Sequence, residues 1–172
     1  PVEALASMPC PTIAAVQGVA VTGGLELMLA CDMVLASHSA RFADTHVRMG
    51  VLPGWGLSQK LSRIVGRARA MELSMSGNFM GAEQAERWGL VNRRVPDAEL
   101  QGHALALAQD IATAPREMAH AYKRLIDEGY QLPMGEALAL ERQRSQDWAR
   151  QLTAASLSGS SAAVKRRGRG QA

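Results

Sequence analysis

An α/β core followed by a helical C-terminal region is the fold that this 172-residue sequence predicts, and three observations predict it. Short β-branched and apolar runs alternate with a glycine turn and a helix-favouring run in the first third of the chain. Beyond residue 56 the apolar residues change to spacings of three and four, the period of helices that bury one face. A hydrophobic content of 47% with 20% charged residues is that of a globular protein large enough to bury a core.

The elements follow in order. "TIAAVQGVA", residues 12–20, reads as one buried strand. "TGG", residues 22–24, is a turn, and residues 25–30 favour helix through Leu, Glu and Met. "MVLAS" and "ARFAD" are two further short strands, and "VLPGWG", residues 51–56, is a loop punctuated by Pro53 and two glycines. "GLSQKLSRIVG" is helical, with Leu57, Leu61 and Ile64 on one face and Gly66 as its stop. "RARAMELSMSG" is a helix ending near Gly77, and "GAEQAERWGL" is a shorter one stopped by Gly89. "LVNRRVP" is a strand. "DAELQGHALALAQDIATA" is an amphipathic helix with Asp97 as its N-cap. Pro115 and Pro133 open two more helices, since a missing N–H is harmless in a first turn. No internal repeat is evident. From Ser156 the sequence turns small, polar and then basic, the composition of a mobile tail.

Composition excludes several functional classes. The formal charge of +3 resides in Lys165, Arg166, Arg167 and Arg169; without these 4 of the 19 basic residues, 15 face 16 acidic ones, a net −1. A lone basic tail and 4% aromatics speak against a nucleic-acid partner. No run is long enough to span a bilayer, and "PVEALASMPCPTIAAV" does not read as a secretory signal. Cys10 and Cys31 have neither disulfide-framework nor metal spacing; buried, reduced thiols in a cytoplasmic protein are expected. The nine methionines are expected mostly in the core, and no metal site is predicted.

"VTGGLELMLACDM", residues 21–33, carries the chemistry. A strand, a glycine turn and a helix invite phosphate, yet neither G-x-G-x-x-G nor G-K-[ST] is present. What remains is general. Gly23 and Gly24 lack a Cβ, so a ligand can approach their backbone, and N–H groups at a helix start suit a developing negative oxygen. Glu26 lies in the same first turn. Two readings stand open on chemistry alone: a carboxylate offsetting the helix dipole, worth about 0.3–1 kcal/mol, or the acid–base group of a site.

A wider match bears on that choice. "PTIAAVQGVAVTGGLELMLACDMVLASHSARFADTHVRMGVLPGWG" resembles the core signature of the crotonase superfamily, the enoyl-CoA hydratases and isomerases. The likeness continues through "RIVGRARAMELSMSGNFMGAEQAERWGLVNRRVP" and covers nearly everything from Pro9 to about Asp147. The resemblance implies a partial crotonase-like ββα spiral over residues 1–96, a C-terminal α-helical trimerisation region over 97–155, and the basic tail over 156–172. It implies similarity to the C-terminal portion of such an enzyme. The second oxyanion donor and much of the coenzyme A surface would lie in the family's N-terminal part. The start at Pro1 is that of a fragment, a processed chain or an incomplete record.

The resemblance also assigns roles. Gly23 matches a backbone donor to the thioester oxygen, and Glu26 matches the first of two glutamates that handle water. Val19, Thr22, Thr45, Met49 and Trp55 fall at substrate-binding positions. Two departures stand out around the second glutamate: His46 occupies its seat, and Thr45 replaces the preceding proline. Thr22 falls where most members carry another glycine. A histidine remains a suitable acid or base, and Asp44 is a nearby carboxylate able to orient it. His38, His103 and His120 match no motif position and read as surface or structural; Asp32 reads as structural. The implied activity is hydration of trans-2-enoyl-CoA, a reaction of fatty-acid metabolism, in a homotrimer or homohexamer, with no cofactor beyond the coenzyme A of the substrate. The alternatives are double-bond isomerisation, thioester hydrolysis or decarboxylation, or a non-catalytic acyl-CoA-binding subunit.

Overall fold

The computed structural model describes residues 2–150, 152, 164, 165, 167 and 168. The chain forms two compact units, Pro1–His120 and Ala121–Ala172. Most of the tail expected from Ser156 lies outside the described residues.

The first unit opens with a short helix, α1 (Val2–Ala6), and then follows a strand–strand–helix rhythm. The run expected as one strand is two: β1 (Ile13–Val16) and β2 (Val19–Val21). Gly18, at φ 77, breaks the run between them. A side chain rarely adopts that conformation, so glycine lets the chain leave one sheet and enter another. Helix α2 (Gly23–Met28) follows, and then β3 (Met33–Ser37) and β4 (Arg41–Ala43) repeat the step. Next come α3 (His46–Met49), α4 (Leu57–Val65), α5 (Arg67–Ser76), β5 (Met80–Gly81), α6 (Ala82–Arg87) and β6 (Arg93–Val95). The strands sort into two thin sheets, β1-β3-β6 and β2-β4-β5. The first sheet is wholly parallel, and the second pairs β2 with β4 in parallel and β4 with β5 antiparallel.

The packing explains the apolar runs. Val34 and Ala36 of β3 belong to the main core with Leu25, Phe42, Leu57 and Leu61, whereas Leu35 packs with Val95 and Leu100. A strand covered on both faces must be apolar at consecutive positions rather than alternating ones. Leu57, Leu61 and Val65 are the buried face of α4; Ile64 is exposed, because a step of four from Leu61 reaches Val65. Asp97 is not the N-cap expected of it. It starts a 3₁₀ turn, Asp97–Glu99, after which α7 (Leu100–Ala112) begins. Its carboxylate instead accepts the backbone N–H and hydroxyl of Ser39, tying the end of β3 to the entry of α7. Asp32 makes a similar tie, accepting both the N–H and the hydroxyl of Thr12 at 2.7 and 2.9 Å.

Two further expectations are corrected. Cys10 and Cys31 are free thiols but only half-buried. Among the nine methionines, Met28 and Met80 enter the core, while Met8, Met49, Met71, Met75 and Met134 are exposed. A flexible thioether tolerates both settings, so methionine count alone does not locate a core.

Helices α8 (Arg116–Gly129) and α9 (Met134–Ala149) complete the described elements. In the second unit Arg144 pairs with Glu128 at 3.2 Å, and Tyr122, Ile126, Tyr130, Met134 and Leu138 are exposed. No helix among the described residues is long and apolar enough to cross a membrane.

Candidate active site

Two neighbouring parallel strands deliver the site. β2 and β4 pair with Val21 opposite Ala43, so the residues that follow each strand emerge side by side. Thr22, Gly23 and Glu26 follow β2. Asp44, Thr45 and His46 follow β4.

Glu26 is 3% exposed, between the buried Leu25 and Met28 of α2. Burying a carboxylate is costly unless it is hydrogen-bonded. One oxygen, Oε1, accepts the backbone N–H of Trp55 at 2.7 Å and that of Leu57 at 3.4 Å. The other, Oε2, faces His46 Nε2 at 3.6 Å. The loop "VLPGWG" and the first residue of α4 therefore act through their main chain: each brings one N–H group onto the same carboxylate oxygen, and the other oxygen is left facing His46.

His46 is the first residue of α3 and is also buried. Asp44, 3% exposed, accepts the His46 backbone N–H at 3.2 Å and contacts ring Nδ1 at 2.7 Å, both through Oδ1. A carboxylate only accepts, so Nδ1 carries the ring proton in this contact and Nε2 is turned to Glu26. Asp44, His46 and Glu26 thus form a line of three buried groups. Residues two apart in an extended strand share a face but stand roughly 6.6 Å apart; the turn from β4 into α3 closes that spacing and brings the Asp44 carboxylate onto the His46 ring.

Gly23 begins α2, whose first N–H groups have no intrahelical partner. A Cβ at Gly23 would lie 3.3 Å from Trp55 Cζ3, tighter than an ordinary carbon contact, so the missing side chain admits the indole. Thr22 is the one non-glycine residue at positive φ among the described residues, with φ 47 and ψ −116. Such a backbone costs on the order of 1–3 kcal/mol. Its hydroxyl lies 3.2 Å from that of Thr45. Thr45 Oγ1 also reaches Met49 Sδ at 4.0 Å.

The sequence-derived residues thus gather: Thr22, Gly23, Glu26, Thr45, His46 and Trp55 are joined by direct contacts, and Met49 through Thr45. Val19 stands apart at the start of β2, exposed. His38 is exposed, His103 meets Glu99 at 3.4 Å on α7, and His120 is half-buried. The main-chain donors of Trp55 and Leu57 were not foreseeable, because a backbone N–H has no residue-type signal. Among the described residues no group of three or more His, Cys, Asp or Glu side chains is arranged to hold a metal ion.

This fold and this constellation have known counterparts. The family model for enoyl-CoA hydratase/isomerase matches residues 2–164. A probable peroxisomal enoyl-CoA hydratase 1 of Arabidopsis thaliana is 41% identical over 145 residues, 84% of this chain and 55% of that protein. A probable enoyl-CoA hydratase/isomerase from Mycobacterium abscessus superposes with a TM-score of 0.87 at 33% identity, covering 96% of this chain and 63% of the other. A putative enoyl-CoA hydratase from Thermobifida fusca YX, in complex with acetoacetyl-CoA, superposes with a TM-score of 0.81 at 29% identity, over 86% of this chain and 58% of the other. The chain belongs to the enoyl-CoA hydratase/isomerase family, the crotonase superfamily. It spans about half the length of the curated relatives it matches.

Proposed function

We propose that this chain carries the acid–base half of an enoyl-CoA hydratase site. The observation that carries the reading is the placement of Glu26. Its carboxylate is buried, held at one oxygen by two main-chain donors, and presented at the other to His46 Nε2 across 3.6 Å. That gap is longer than a hydrogen bond, though within ion-pair reach of a protonated ring, so both groups face one small volume. The complex of a family member with acetoacetyl-CoA supports an acyl-CoA thioester as the ligand class.

The thioester oxygen accepts the Gly23 N–H and a second donor from outside this chain. Glu26 takes a proton from water, whose oxygen bonds to the β-carbon of a trans-2-enoyl-CoA. The electron pair of the double bond moves onto the α-carbon and the thioester oxygen, where the N–H donors stabilise the enolate. His46, carrying a second ring proton on Nε2 besides the one that Nδ1 gives to Asp44, delivers it to the α-carbon, and Asp44 holds the ring in line. The proton on Glu26 then returns to Nε2, which restores both groups for the next turnover. Water is added with no net proton change, and no cofactor beyond the substrate's coenzyme A is required.

Glu26→Gln in the full-length protein tests this. Loss of a general acid–base group costs about 10²–10⁴ in rate; unchanged hydration of a trans-2-enoyl-CoA would overturn the assignment. The histidine at the second acid–base seat also favours a second reading, double-bond isomerisation. There one group takes a proton from carbon and the other returns one to a different carbon. A panel of 2-enoyl, 3-enoyl and saturated acyl-CoA substrates separates hydration, isomerisation and thioester hydrolysis by product. Acyl-CoA binding without any turnover would favour a binding subunit. The same reading carries a homotrimer or homohexamer, checked by solution mass, and a cytoplasmic location, supported by two free cysteines.

A further inference from the structure

Thr22 and Thr45 each hold the N-cap position of a site helix, α2 and α3. A threonine there ordinarily turns its hydroxyl onto the N–H groups of its own first turn. Neither does so. The two hydroxyls meet each other at 3.2 Å, across the ends of β2 and β4. The Thr22 N–H also donates to Ala43 O at 3.3 Å, so main chain and side chain together tie the two segments where both leave the sheet. The next residue on one segment is Gly23, and on the other His46. These two threonines are also positions where the sequence departs from its family's pattern, and the departures meet in one contact.

We propose that the Thr22–Thr45 hydroxyl pair is a positioning clasp: it sets the spacing between the Gly23 N–H and the His46 ring. The proposal rests on the reading of Gly23 as oxyanion donor and His46 as proton carrier. The clasp explains two features at once. It gives the Thr22 hydroxyl a partner outside its own helix, leaving the Gly24 and Leu25 N–H groups uncapped. It also gives a β-branched residue a reason to keep φ 47, a conformation such residues avoid. Neither threonine touches the reacting atoms in this scheme; both act through their neighbours.

The test is a mutant cycle in the full-length protein. Thr22→Val and Thr45→Val remove each hydroxyl while keeping side-chain shape. Each lowers kcat about five- to tenfold, the rate equivalent of roughly one hydrogen bond, and leaves KM within about twofold. The double variant loses no more than the worse single one, because both substitutions break the same contact. Thr22→Ser and Thr45→Ser keep the hydroxyl and recover most of the kcat that the matching valine variant loses. Losses that multiply in the double variant, or a change in KM alone, overturn the clasp. Where a valine variant fails to fold, alanine repeats the comparison. A second measurement does not depend on turnover: in NMR spectra Thr45→Val shifts the Gly23 amide signal, and Thr22→Val shifts the His46 ring signals. A protein that hydrates no enoyl-CoA defeats the hydration reading while these shifts still decide the clasp. Hydration with shifts confined to each variant's own segment defeats the clasp alone.

Discussion

The junction after β2 and the junction after β4 leave paired strand ends, Val21 opposite Ala43, yet each builds its share of the site from different material. The first relies on main chain. Gly23 contributes by lacking a side chain, and Glu26 is aimed by the N–H groups of Trp55 and Leu57, about thirty positions away where a loop runs into α4. The second relies on side chains: the His46 ring meets Asp44, two residues before it, at 2.7 Å and faces Glu26 at the longer distance of 3.6 Å. A carboxylate held by backbone donors keeps its orientation whatever side chains the loop carries. An imidazole whose hydrogen bond goes to one carboxylate side chain depends on that residue's identity. The two halves of the site should therefore fail in different ways.

The largest effect is expected at the two groups proposed to carry protons. Glu26→Gln and His46→Gln should each reduce kcat by about 10²–10⁴, measured as hydration of a 2-enoyl-CoA. His46→Glu sharpens the point by restoring the family's residue; it should retain more activity than His46→Gln if the seat, rather than the imidazole, is what matters. Next comes the support of the ring. Asp44→Ala should lower kcat about 10- to 100-fold, the range seen when an outer partner of a working group is lost. In a His46→Gln background it should cost almost nothing more, since it acts through that ring. A full further loss in that background would make Asp44 an independent contributor.

Trp55→Ala probes the opposite junction and should do less. Its N–H to Glu26 survives the substitution, so kcat should change less than about threefold while KM rises, the signature of lost ground-state binding. A collapse of kcat would show that the indole, not the main chain, aims Glu26. The smallest effect is remote from both junctions. Ser39 donates its hydroxyl and N–H to Asp97 and holds that carboxyl below its ordinary value of 3.8. A folded value below the unfolded one stabilises fully above the ordinary value and is lost as pH falls through the folded value. Ser39→Ala should therefore lower Tm slightly at neutral pH, and the difference should close in strongly acidic buffer with no change in kcat.

Much of this was legible in the residues. Helix α4 follows from leucines four apart and its glycine stop, and the apolar run of β3 announces a strand covered on both faces. Glu26 and Gly23 stand out through the resemblance to the enoyl-CoA hydratases and isomerases; chemistry alone left open a carboxylate that only offsets the helix dipole. The break at Gly18 was not legible, since glycine inside an apolar run fits a bulge or a strand end equally well. The move of Asp97 from helix cap to partner of Ser39 was not either, because both uses draw on the same side chain and differ only in what lies nearby.

By itself, then, the sequence determined the α/β class, the helical C-terminal region and which residue types were available for acid–base work. These are properties of local periodicity and composition, and neighbours in the chain are enough to set them. Only the tertiary structure decided that Asp44 folds back onto His46, that N–H groups of a distant loop and of the start of α4 hold Glu26, and that two N-cap threonines bond each other instead of their own helices. Each is a contact between atoms whose directions depend on how two strands and a loop pack, and direction in space is the one thing a linear order of residues does not carry.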